Sequence, residues 1–136
     1  MSKSNTSENA TLDALLRGVD PSFRANANRY IALHTADPGD AGSAITSECA
    51  FGSYARVSVT AATGFTAASG GSSSNTGEIS FPECSSGSEV VTHVSIVDTS
   101  SGAGVIIYSG ALTASRTISS GITGRFAIGA LTVTED

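Results

Sequence analysis

Residues 30–42, YIALHTADPGDAG, carry an apolar run with one histidine that breaks into a loop with two aspartates. Two readings compete. His34, Asp37 and Asp40 bring together the residue types of a metal site or an acid–base cluster. Ile31 and Leu33 also alternate as a strand does, and Asp37-Pro38-Gly39-Asp40 spells a turn. Proline presets φ at the second turn position, glycine accepts the positive φ that a type II turn needs at the third, and aspartate at the first bonds to the backbone just ahead. Turn geometry accounts for Asp37, Pro38 and Gly39 without a ligand. It leaves Asp40 and the His34 side chain unassigned.

Working outward, the period of two continues. RYIALHT (29–35), YARVSVT (54–60), TGEISF (76–81), EVVTHVSIVD (89–98) and VIIYSG (105–110) read as strands, and ALTAS (111–115) and RTISSG (116–121) as weaker ones. In 89–98, Val90, Val94 and Ile96 fall on one face and Val91, His93 and Val97 on the other, so both faces are expected to be covered. GRFAIGALTVTE (124–135) closes the chain as one strand, with Gly129 marking a bulge or a close backbone approach. Residues 66–76, TAASGGSSSNT, have a linker's composition and are expected to form an exposed loop between strands. Seven or eight short strands at spacings of roughly ten residues predict an all-β domain, a β-sandwich of jelly-roll or immunoglobulin-like type.

One helix precedes them. In NTSENATLDALLRGV (5–19), Leu12, Leu15, Leu16 and Val19 recur at helical spacing and build an apolar stripe. Asn5 and Glu8 have capping-box spacing, Gly18 is placed to end the helix, and Pro21 prevents its resumption. So short a helix needs something to pack on: its own domain's core or a neighbouring subunit. The expected organisation is an N-terminal arm and helix over 1–28 and a β-sandwich domain over 29–136.

Composition narrows the function classes. The chain has 136 residues, enough for one domain with a proper core. Only 14% of residues are charged, and the net charge is −5. One Lys and six Arg are spread along the chain, without the basic cluster that a phosphate-binding surface needs, so no nucleic-acid partner is expected. No apolar run approaches the length of about 20 residues that spans a bilayer, and MSKSNTSENA (1–10) lacks the apolar region of a signal peptide. No membrane partner is expected. Cys49 and Cys84 are either two free thiols of a protein made in a reducing cytosol or a disulfide. GxSxG, GxGxxG, P-loop, HExxH, EF-hand and zinc-ribbon patterns are all missing. No enzyme activity, metal or cofactor is expected.

The order of certain pieces is familiar: LHTADPG (33–39), GSYAR (52–56), ASGGSSSN (68–75), THVSIVD (92–98) and GALTVT (129–134). Over about residues 9–135 the chain resembles a family of small tailed-bacteriophage virion proteins described as tail-fibre or minor structural proteins. It departs from the family in 84–89, where an aromatic is common and this chain has CSSGSE. The resemblance implies a non-enzymatic virion protein made in the host bacterial cytoplasm.

A fibre normally needs a long repetitive shaft, for which a chain this short has no room. The leading expectation is therefore a capsid cement (decoration) protein that binds the major capsid protein and itself, as a homotrimer. The alternative is a tail-fibre or tail-tip protein that contacts tail proteins or the host surface, with loops 36–53 and 66–76 carrying recognition. Candidate partner contacts are Leu12, Leu15, Leu16 and Val19 on the helix and Asp37, Pro38, Gly39 and Asp40 in the loop. The loops lack the aromatics that stack on sugars.

Overall fold

The computed structural model describes residues 1–135. Its elements are α1 (Asn5–Leu12), a π-helical turn (Asp13–Arg17), a 3-10 turn (Ser22–Ala25) and eight strands: β1 (Asn28–His34), β2 (Val57–Thr60), β3 (Ser72–Ser74), β4 (Ile79–Ser80), β5 (Ser88–Val97), β6 (Ile106–Ser119), β7 (Arg125–Phe126) and β8 (Thr132–Thr134). The protein is all-β with one short N-terminal helix. A four-stranded antiparallel sheet runs β2-β1-β5-β6, and two antiparallel ribbons, β3-β8 and β4-β7, lie apart from it in hydrogen bonding.

The core forms where sheet and ribbons meet. Ile31 and Leu33 of β1, Val91, Val94 and Ile96 of β5 and Ile118 of β6 pack with Ile79 and Phe81 near β4 and Leu131 and Val133 near β8. On the other face of the sheet, Val97 and Ile106 pack with Ala44 and Tyr30. This explains the continuous apolar run in β1, whose last four residues are all buried.

Four expectations are corrected. In β5 the register shifts between Val91 and His93, so Val91, not Val90, joins Val94 and Ile96 in the core, and Val90 is exposed. A bulge slips the alternation by one residue, which a strict period of two does not anticipate. The segments 105–110, 111–115 and 116–121 fuse into one 14-residue strand, β6, which pairs with β5 at both of its ends, through residues 106–111 and 116–119, while residues 112–115 bulge away unpaired with β5. The closing stretch 124–135 divides instead into β7 and β8, which pair with different strands. Between them Gly129 adopts φ +76° in a chain reversal closed by a hydrogen bond from Ala130 N–H to the Ala127 carbonyl, 3.0 Å. Lastly, 66–76 is not a plain loop. Gly70 and Gly71 both have positive φ (58° and 72°), and Ser69 and Ser72 exchange backbone hydrogen bonds of 2.9 and 3.1 Å around them. That is a two-residue type I′ hairpin turn, the one glycine pairs favour, and it delivers β3.

One buried polar residue ties this half together. Asn75 is 1% exposed. Its Nδ2 donates to the carbonyls of Gly77 (2.7 Å) and Ala127 (2.9 Å), and its Oδ1 accepts from Leu131 N–H (2.9 Å). The side chain thereby joins the β3 hairpin to the turn between β7 and β8.

Candidate interaction surfaces

The N-terminal arm is stitched to the sheet. Ser2 and Ser109 exchange backbone hydrogen bonds (2.7 and 2.8 Å), so the arm pairs with the outer edge of β6. Lys3 pairs with Glu135. A Cβ on Gly110 would press on the Met1 side chain at 3.1 Å, so glycine leaves room for the arm. The helix cap is Ser4, one residue before the expected Asn5. Its Oγ accepts from Ser7 N–H (3.2 Å) and donates to the Ile106 carbonyl (2.6 Å). Ser4 wins because it caps and anchors at once, while Asn5 N–H donates to the Asp40 carbonyl (2.8 Å). Gly18 ends the helical segment with φ +68°, as its position predicts.

The helix turns a polar side, the buried Ser4 and Ser7, to its own domain. Its apolar stripe faces away. Leu12 closes α1 and Leu15 and Leu16 fall in the π-helical turn, whereas Val19, expected on the helix, lies past it because the left-handed Gly18 ends the helical segment; the four are 55, 76, 79 and 49% exposed. Of the two supports open to this helix, the chain's own core does not take the stripe. Arg17 and Asp13 form an ion pair beside it (3.0 Å).

The loop residues separate. The Asp37 carboxylate accepts from Gly39 N–H (2.9 Å), and Gly39 has φ +69°, as a type II turn requires. Pro38 is buried, while Asp37, Gly39 and Asp40 are exposed. Asp40 meets the helix start through its carbonyl, so the loop and the helix share one hydrogen-bonded corner.

His34 lies inside and plays no part in that loop. Thr46's carbonyl takes a hydrogen bond from Nδ1–H (2.9 Å), which leaves Nε2 to accept from the Ser95 hydroxyl (2.7 Å). Burial lowers its pKa and keeps the ring neutral. Among the described residues no three His, Cys, Asp or Glu side chains gather in a metal-binding group.

Next to His34 lies a network that the GSYAR segment signals without revealing its partner. Arg56 grips Glu48 with two hydrogen bonds, Nε to Oε1 (2.7 Å) and Nη2 to Oε2 (2.8 Å), and donates onward to the carbonyls of Thr99 (3.0 Å) and Gly102 (2.8 Å). The Tyr54 hydroxyl donates to Glu48 (3.0 Å) and accepts from Leu33 N–H (3.0 Å). The pair fastens loops 44–56 and 98–104 together. A Cβ on Gly52 would collide with the Ser86 hydroxyl, so this residue must be small. Cys49 and Cys84 are buried free thiols. Burial, with Glu89 and Glu48 nearby, pushes the Cys49 thiol up to about 12. In the segment 84–89, Cys84 is fully buried.

The fold also opens a cleft between the sheet and the β3-β8 ribbon. Ile96, Ile107 and Val133 form its apolar floor, Phe65 and Tyr108 stand beside it, and Arg29 and Glu135 lie at its edge. The Tyr108 hydroxyl donates to Glu135.

No curated protein matches the chain. The family model described as Podophage GP4 fiber I protein gp80 matches residues 2–134, from the N-terminal arm to the last strand. The chain thus belongs to this phage fiber protein family and is a structural component of a phage particle.

Proposed function

We propose that the protein is a non-enzymatic component of a phage tail fibre, held to its neighbours by the N-terminal helix and presenting the β domain outward. The observation that carries this reading is the match to a fiber protein family over residues 2–134, joined by the uncovered leucine stripe on a helix whose other side is anchored. Three exposed leucines on the helical segment, with Val19 exposed just past its Gly18 stop, suit burial against another protein. The family's fiber description supports this reading over capsid cement. Tail proteins and the host surface are the partners on this reading.

Two measurements test it. Antibody labelling of intact particles should mark the tail, and labelling confined to the head would return the cement reading. Leu15→Ser with Leu16→Ser should prevent incorporation into particles while the protein stays folded. Normal incorporation of this variant would remove the helix from the interface. Deleting residues 1–20 is a poorer test, because it also removes the Ser2 and Ser4 contacts to β6.

A further inference from the structure

On the fiber reading, we propose that the cleft between the four-stranded sheet and the β3-β8 ribbon binds a hexose that carries an acetamido group. The 66–76 segment has no aromatic residue of its own, and the fold supplies two from elsewhere. Phe65 arrives at the foot of the hairpin, and Tyr108 arrives from β6. A β-bulge delivers the second. Ile96 lies opposite Tyr108 and Val97 opposite Ile106, so Ile107 is the extra residue. Both Ile107 and Tyr108 consequently line the cleft, and bulges of this kind re-aim side chains beside binding sites.

The Tyr108 ring is held from two directions. Its hydroxyl donates to Glu135, and Lys3 Nζ lies 5.7 Å from the ring centroid. A fixed aromatic face favours the C–H side of a pyranose, with little ordering cost. The floor is apolar and nearly closed to solvent, which suits a methyl group. The edge offers a guanidinium, a carboxylate and the Ser72 and Ser73 hydroxyls, donors and acceptors together, as a polyhydroxylated ring needs. Arg29 is positioned by donating to the carbonyls of Asn26 (3.0 Å) and Asn28 (3.1 Å). Lys3 and the Tyr108 hydroxyl hold the Glu135 carboxyl below its usual range, so it remains an acceptor in mildly acidic solution. An acetamido hexose combines all three requirements: a C–H face, a methyl and hydrogen-bonding groups. An apolar peptide side chain uses only the floor.

The test is an NMR titration of the full chain with N,N′,N″-triacetylchitotriose, against cellotriose, which has the same linkage without acetamido groups. Saturable shifts centred on the cleft are expected for the first sugar, with the second at least about fivefold weaker. Tyr108→Ala should weaken binding about tenfold, and Tyr108→Phe, which keeps the ring, should retain most of it. Ala68→Trp, on the exposed lip, should fill the cleft and abolish binding without touching the core. Absence of saturable shifts in the unaltered chain, or binding that survives Ala68→Trp, overturns the proposal. So does a neighbouring protein's side chain seated in the cleft of the intact particle. Sugar binding by a protein that labels on the head would refute the fiber reading alone, and a tail location without sugar binding would refute the cleft alone.

Discussion

Asn75 shows how much a single side chain organises here. It is buried and makes three side-chain hydrogen bonds to backbone groups of two separate turns. Removing it strands buried donors and acceptors, each costing about 1–3 kcal/mol. Asn75→Ala should therefore lower the free energy of unfolding by about 2–4 kcal/mol in a urea titration. Arg56 and Glu48 follow the same logic with charge. Arg56 is 2% exposed at its side chain, so Glu48→Ala leaves a buried cation without its partner, at a cost of about 3–5 kcal/mol in the same assay. Cys49 answers a chemical question instead. With its thiol pushed up to about 12, it should not react with a thiol-specific reagent at pH 8 in the folded protein. In denaturant it should react rapidly, as an ordinary thiol with a pKa near 8.5 does.

His34 adds a pH dependence whose sign follows from its burial. Its folded-state pKa is lowered, so between that value and the unfolded value near 6.5 the unfolded chain binds the extra proton. Stability contributed by neutral His34 is fully present above about pH 6.5 and declines as the pH falls toward the lowered folded value. Melting temperatures measured from pH 7.5 down to 5 should fall, and His34→Gln should flatten this part of the profile. An unchanged slope in the variant would place the titration elsewhere. Little of this was legible in advance. His34, Asp37 and Asp40 are neighbours in sequence, yet a strand and its turn send the imidazole inward and the two carboxylates outward.

The helix and the β3 hairpin illustrate the next scale. Periodicity alone located the apolar stripe of Leu12, Leu15 and Leu16 and its glycine stop, past which Val19 falls. It did not show which way the stripe points, because that depends on where Ser4 and Ser7 find partners. The stripe's exposure gives a clean prediction: Leu15→Ser with Leu16→Ser should change unfolding free energy by no more than about 0.5 kcal/mol, as surface substitutions do. In the hairpin, Gly71 has φ +72°, and a Cβ there would collide with the Glu135 carbonyl. Gly71→Val should cost about 1–3 kcal/mol, and it should broaden the amide signals of both β3 and β8, since the two strands pair with each other beside this glycine.

For the whole molecule, the arm along β6 is the decisive contact. β6 is an edge strand of the sheet, and unpaired edges invite association with other chains. Ser2 covers this edge at Ser109, and Ser4 fastens the helix beside it. Removal of residues 1–4 should expose that edge, and light scattering should report concentration-dependent association that the full chain does not show.

Residue pattern by itself determined the all-β class, the approximate strands, the turn at Asp37-Pro38-Gly39 and the helix with its stop, because each depends on side chains within one short window. Family membership was also legible in short segments such as LHTADPG and GSYAR. Pairing was not. Whether 124–135 forms one strand or two, where β5 slips its phase and which aromatics stand over residues 66–76 all depend on partners far away in the chain. Those partners become neighbours only when the sheet and the two ribbons close over a common core, so tertiary structure alone decided the register, the direction of the helix and the existence of the cleft.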